Sequence, residues 1–188
     1  GAPVPELLAF DGEWLIQQDL GDRRLSAALA ADDVRVAATW AERAVGALLQ
    51  CQQGADQTGL SRRVAPIGAK PGWLSGLLAT PGRIALRLEL PDPDVGASIT
   101  PAQLAPQRYA FVKWDVRPGN ALLVADGPDG GSVGWVDWEH CGARDALDDL
   151  AWLLCDEYMP DDEALEADLL ERYLPLFARQ SQRAPEDA

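Results

Sequence analysis

The chain has 188 residues, 47% of them hydrophobic, and a formal net charge of −14, which allows one good core or one large and one small lobe. That acidity counts against nucleic acid or an anionic lipid surface as partner, and no apolar run approaches the roughly twenty residues a membrane-crossing helix needs. Three cysteines, Cys51, Cys141 and Cys155, without C-x-x-C spacing point to reduced thiols in a cytoplasm, and the single His140 removes most histidine-based metal sites.

Taken in chain order, Glu6 to Phe10, an Asp11-Gly12 turn and Glu13 to Gln18 read as a tight hairpin running into Asp19-Leu20-Gly21. A lone two-stranded hairpin is marginal in water, so this one should pack on something. Arg24 to Ala31 is rich in Ala and Leu, and from Asp33 the residues Val36, Trp40, Ala44, Ala47, Leu48 and Cys51 recur at three- and four-residue steps. This spacing predicts an amphipathic helix to about Gln53, with Asp32 or Asp33 as its N-cap. Prolines interrupt the pattern between Gly54 and Gln107; Trp73 to Leu78 suggests a short helix, and Ile84 to Leu90 a helix or a strand. Tyr109 to Val112 enters as a strand, Pro118-Gly119 turns it, and Ala121 to Val124 runs out apolar. Turn residues from Asp126 to Gly131 then let Ser132 to Val136 return as the partner strand, delivering Asp137 near the Asn120 end. A helix is expected from Arg144 to Asp156, with Leu147, Leu150, Ala151 and Leu154 on one face. Pro160 to Glu163 starts a last helix to about Gln180, kinked at Pro175, and the tail from Ser181 should fray. The mixture makes the fold α+β.

The residues that carry chemistry lie in Lys113-Trp114-Asp115-Val116-Arg117-Pro118-Gly119-Asn120 and in Gly134-Trp135-Val136-Asp137-Trp138-Glu139. An Asp, a Pro-Gly turn and an Asn five positions on, then a strand ending in a second Asp, is the arrangement kinases use for base and metal ligands. One carboxylate, Asp115, would accept a proton from a substrate hydroxyl. Asn120 and Asp137 would hold Mg²⁺ against the phosphates of ATP, so the oxygens must converge. Arg117 stands where protein kinases place a cation that reaches the transferring phosphate; the alternative is an Arg paired with a nearby carboxylate. Glu139 either reaches metal or water or is an exposed carboxylate beside the site.

These residues resemble the aminoglycoside phosphotransferase and choline kinase group of small-molecule kinases. That group shows H-x-D-x-x-x-x-N, a short strand pair, I-D-[WF]-x-x-x-G and a downstream D-L-A. The matches are Asp115, Asn120, Val136 to Glu139, Gly142 and Asp149-Leu150-Ala151, with Lys113 in place of the histidine and Trp114 after it. The resemblance implies Asp115 as base, Asn120 and Asp137 as Mg²⁺ ligands, and Asp149 as a structural carboxylate supporting the loop. It implies a protein-kinase-like large helical lobe over residues 22–188, with catalytic and metal loops at 109–142. Residues 1–21 would be a remnant small-lobe hairpin and hinge, whose backbone at Gln18, Asp19 and Leu20 contacts adenine. Late helices wall the substrate pocket in that group, which makes Glu139, Asp156, Glu157, Tyr158 and Asp161 pocket candidates; a solvated helix start is the alternative.

The expected function is ATP- and Mg²⁺-dependent phosphoryl transfer to a hydroxyl of a small molecule, and the acidic surface would favour a cationic one. A complete enzyme of this kind needs a Gly-rich phosphate loop and a strand lysine, yet the first 69 residues hold no lysine. The chain is therefore expected to be the back half of a two-lobed kinase, or a homologue without its front half, and to be inactive alone. The hairpin should then expose an apolar patch that a partner, or residues of the 54–107 segment, would cover. The alternative is a non-catalytic, kinase-derived small-molecule-binding protein, with a metal-dependent hydrolase a distant third.

Overall fold

Short local signals set the elements of the body, and two long helices bury them. The computed structural model describes residues 3–31, 33–94, 98–124 and 130–182; Asp32, the expected turn residues 125–129 and the residues from 183 on lie outside them. The fold is mixed α and β. Strands β1 (Leu7–Phe10) and β2 (Leu15–Gln17) form the first hairpin, in register Leu7 to Gln17 and Phe10 to Leu15 with a bulge between. Asp11 closes its turn by accepting from the backbone N–H groups of Glu13 and Trp14.

Helix α1 is Leu25–Leu29, and α2 runs Val34–Gln57, capped by Asp33, whose carboxylate accepts from Arg35 and Val36 N–H. The buried stripe of α2 begins at Ala37 and Ala41, not at Val36 and Trp40, and runs through Val45, Leu48 and Cys51 to Ala55. Alanines let the helix approach its neighbours closely, so the larger Val36 is left exposed. Helices α3 (Trp73–Leu78), α4 (Thr80–Arg87) and α5 (Pro101–Leu104) follow, which resolves the Ile84 region as helix.

Strand β3 (Ala110–Val112) is buried throughout, and β4 (Ala121–Val124) pairs with β5 (Ser132–Trp135) from Ala121 opposite Trp135 to Val124 opposite Ser132. The 142–144 segment departs from expectation: Gly142–Arg144 is strand β6, antiparallel to β3. Helix α6 begins only at Ala146, with Asp145 as cap, and ends at Leu154. Its buried face is Ala146, Asp149, Leu150 and Leu153, whereas Ala151 is exposed. Pairing with Ala110 of β3 takes Arg144 out of the helix, which starts two residues later than expected. Last comes α7 (Glu163–Ser181), capped by Asp162 and continuous through Pro175.

The core lies where α1, α2, α6 and α7 meet the inner face of β4 and β5, around Leu25, Val45, Leu48, Trp135, Leu153 and Phe177, each fully or almost fully buried. The β1–β2 hairpin is not part of it. Leu7, Leu8, Phe10, Trp14, Leu15 and Ile16 are all 57% exposed or more. What ties this arm to the body is its two ends: the Pro3 carbonyl accepts from Trp135 N–H at 2.9 Å, and Leu20 packs against Gly134. A β-carbon at Gly134 would come within 2.5 Å of the Leu20 side chain, so any larger residue in that notch would push Leu20 aside.

Candidate functional site

The turn after β3 is built on a buried carboxylate. Asp149, with no exposed surface, accepts from Lys113 N–H at 2.8 Å, from Trp114 N–H at 2.9 Å and from the Gln52 amide at 3.0 Å. Burial pushes its pKa up to about 6 against the pull of those donors. Held there, Trp114 and Asp115 adopt left-handed backbone, with φ of 56° and 46°. A single 3₁₀ turn, Pro118–Asn120, brings the chain back, and the Asn120 amide donates to Asp115 Oδ2 at 2.9 Å and to the Asp115 carbonyl at 3.2 Å. Asp115 and Asn120 are thus one hydrogen-bonded unit.

Asp137 follows β5, also in the left-handed region at φ 60°. Its carbonyl accepts from Lys113 Nζ at 2.8 Å, and the same ammonium lies 3.4 Å from the Asp115 carbonyl. Lys113 is 1% exposed, with its Nζ 5.9 Å from the centre of the Trp135 ring and 5.5 Å from that of Trp138. Burial lowers its pKa, and the carboxylates of Asp115, Asp149 and Asp137 oppose that shift. Val136 N–H donates to the Asn120 carbonyl at 3.0 Å, which joins the two turns a second time.

Beside Asp115 opens a cleft of about 520 Å³ lined by Asp115, Arg117, Trp152, Cys155, Asp156 and Glu157, within the range of small-molecule sites. Arg117 crosses it, at 3.1 Å from Asp156 Oδ2 and 2.8 Å from Glu157 Oε1, and these two carboxylates raise its pKa. Trp152 meets Trp114 edge-on with ring centres 5.0 Å apart; Trp114 in turn lies 6.2 Å from Trp73, and the buried Arg144 guanidinium covers both Trp73 and Trp114.

The sequence therefore singled out groups that meet and groups that do not. Asp115, Asn120, Asp149, Arg117, Asp156 and Glu157 adjoin one another, but neither Asn120 nor the exposed Asp137 lines the cleft that contains Asp115. The left-handed backbone at Asp137 turns its carbonyl inward to Lys113. Glu139 is exposed and contacts His140 at 3.3 Å; Tyr158 and Asp161 are exposed outside the cleft lining. At the hinge, Gln18 N–H already donates to the Glu6 carbonyl, Asp19 accepts from Gly21 N–H, and Leu20 is half-buried on Gly134. Sequence reasoning missed Gln52, Trp152 and Cys155, and noted Lys113 only as standing in place of the motif's histidine. A buried lysine has no pattern signature, because lysine is almost never fully buried. Among the described residues there is no group of three or more His, Cys, Asp or Glu side chains placed to hold a metal.

No protein-family model and no curated protein matches the chain. Among the described residues no helix is long and apolar enough to cross a membrane.

Proposed function

We propose that the chain carries the base and metal-ligand half of a Mg²⁺- and ATP-dependent phosphotransferase acting on a hydroxyl of a small molecule, of the aminoglycoside phosphotransferase and choline kinase type. One observation carries the reading: the Asp115–Asn120 side-chain hydrogen bond of 2.9 Å and the Lys113 bridge from that turn to the Asp137 backbone carbonyl tie together the two turns that bear the oxygen ligands the reaction needs. Left-handed backbone at Trp114, Asp115 and Asp137 supports it, because such strain gathers where a site dictates geometry.

The donors fit a hard divalent cation. With the Asn120 amide nitrogen committed to Asp115, its carbonyl oxygen is the remaining ligand atom, and Asp137 offers an exposed carboxylate. Mg²⁺ held there would neutralise the phosphate oxygens of the nucleotide. Asp115, steered by Asn120, would orient the acceptor hydroxyl and take its proton, and the cleft beside it would hold the acceptor. Trp152 would offer that acceptor a ring face. Arg117 would have to leave Asp156 and Glu157 to reach a phosphoryl group, so its first role is to shape the cleft wall.

The test is Mg²⁺-dependent nucleotide binding followed by turnover with amino-sugar and amino-alcohol acceptors. Asp137→Asn should weaken binding by about tenfold or more, while Asp115→Asn should leave binding largely intact and lower turnover by at least about a hundredfold. Nucleotide binding indifferent to Mg²⁺, or wild-type turnover in Asp115→Asn, would overturn the reading. The Gly-rich loop and strand lysine that grip the triphosphate are not among the first 69 residues, so these 188 residues by themselves should bind Mg-ATP weakly and turn over little. A non-catalytic small-molecule-binding protein is the second reading. The ion pairs that hold Arg117 in the cleft wall favour it, and saturable acceptor binding without ADP release would decide for it.

A further inference from the structure

We propose that Lys113 is a positioning residue whose ammonium fixes the backbone of both acid-bearing turns at once. A lysine that is 1% exposed would normally be paired with a carboxylate. Among the described residues Lys113 makes no ion pair; its Nζ is spent on the carbonyls of Asp137 and Asp115, at 2.8 and 3.4 Å, and on the faces of Trp135 and Trp138.

Those two carbonyls belong to residues in the left-handed region, at φ 60° and 46°. A residue with a β-carbon is disfavoured there and stays only where its surroundings over-determine it. An inward-turned carbonyl bonded to a buried ammonium supplies that constraint twice. The anchor itself is firm, since Lys113 N–H is held by Asp149 from below. One side chain therefore dictates how the first turn presents the Asp115 carboxylate and how the second leaves the Asp137 side chain exposed.

Electrostatics and positioning make opposite demands on a bound cation. By Coulomb's law alone, deleting a positive charge beside Asp137 would tighten a divalent cation there. If Lys113 positions the turn, deleting it loosens the cation instead.

The experiment compares wild type with Lys113→Met, which keeps length and removes the donors, using amide hydrogen exchange and Mn²⁺ binding followed by electron paramagnetic resonance. The informative amides are Arg117, Asn120 and Val136, which donate to Asp115, Arg117 and Asn120 carbonyls at 3.0, 2.7 and 3.0 Å. In Lys113→Met these three should exchange about tenfold faster relative to the amides of α2, and Mn²⁺ affinity should fall about tenfold or more. Exchange that merely tracks α2, or Mn²⁺ affinity that rises, overturns the proposal. The Mn²⁺ arm rests on the phosphotransferase reading; a wild-type chain that binds no Mn²⁺ counts against that reading, and the exchange arm still decides the role of Lys113. Should Lys113→Met fail to fold, Lys113→Gln keeps one amide donor on a shorter side chain. Selective loss of protection at the same three amides is again expected, and wild-type protection there rejects the clamp.

Discussion

Asp148 and Asp149 are neighbours in α6, yet they face different partners. Asp149 points inward and accepts from Lys113 and Trp114 N–H; replacing it with alanine leaves two backbone donors unpaired, one of them buried. Asp149→Ala should cost on the order of 2–4 kcal/mol, read as a lower urea midpoint, and the loss should be seen first in the turn after β3. Asp148 lies 2.5 Å from Arg144 Nε, and burial pushes its pKa up to about 6 from an ordinary 3.8. Between the two values the folded chain keeps a proton the unfolded chain has released, so this contribution favours folding in acid and is lost as pH rises through about 6. The wild-type urea midpoint should therefore decline between pH 4 and pH 6.5 more steeply than that of Asp148→Asn, and parallel profiles would contradict the assignment. At this scale the spacing was enough to expect Asp115, Asn120 and Asp149 around one turn, where their hydrogen bonds have them; the chemical roles of these groups are proposed ones. The sequence marked Lys113 as a departure from the motif but not its burial, because only the packed fold says that a lysine is enclosed.

Elements were legible in proportion to how far their own residues decide them. Helix α2 carries its cap and apolar stripe, and β4 and β5 have apolar runs bounded by turn residues, so each lies within a few residues of its expected place. Strand β6 was not legible. Three residues ending in a charged Arg144 have no strand pattern of their own; pairing with β3 imposes it, and the tryptophan rings over Arg144 make its burial tolerable. Gly142 explains itself only in this context: a β-carbon there would meet the Ala65 carbonyl at 2.8 Å and Ile67 at 2.6 Å. Ala65 accepts from Ala143 N–H at 2.9 Å, so the carbonyl cannot retreat without breaking that bond. Gly142→Ala should destabilise the chain by about 1–3 kcal/mol, measured by thermal unfolding, whereas Gly119→Ala, with nothing within 4 Å of the added carbon, should be close to neutral.

Taken whole, the molecule is a packed body with an exposed apolar arm, held at its ends by Pro3 and Leu20. Trp14 is 73% exposed and Phe10 64%, so neither contributes packing to the body's stability. Trp14→Ser should change the unfolding free energy by no more than about 0.5 kcal/mol while lowering the binding of an apolar dye to the arm. A large loss of stability would mean that the arm is docked on the body in solution. A hairpin could be read from Asp11-Gly12 and its flanks, and the shortage of lysine suggested bare apolar surface. That the arm hangs from the Gly134 notch could not, because Leu20 and Gly134 lie 114 residues apart in the chain.

The tryptophan series beside the cleft has an optical consequence. Trp152 forms part of the cleft wall, its ring is edge-on to Trp114, and a guanidinium lies over the next two indoles. Excited states on indoles this close are shared, and the nearby charge shifts their energy. The cleft therefore carries its own unlabelled reporter: whatever settles against Trp152 alters the near-ultraviolet dichroism and emission of the set, while the exposed Trp14 on the arm supplies an unchanging background.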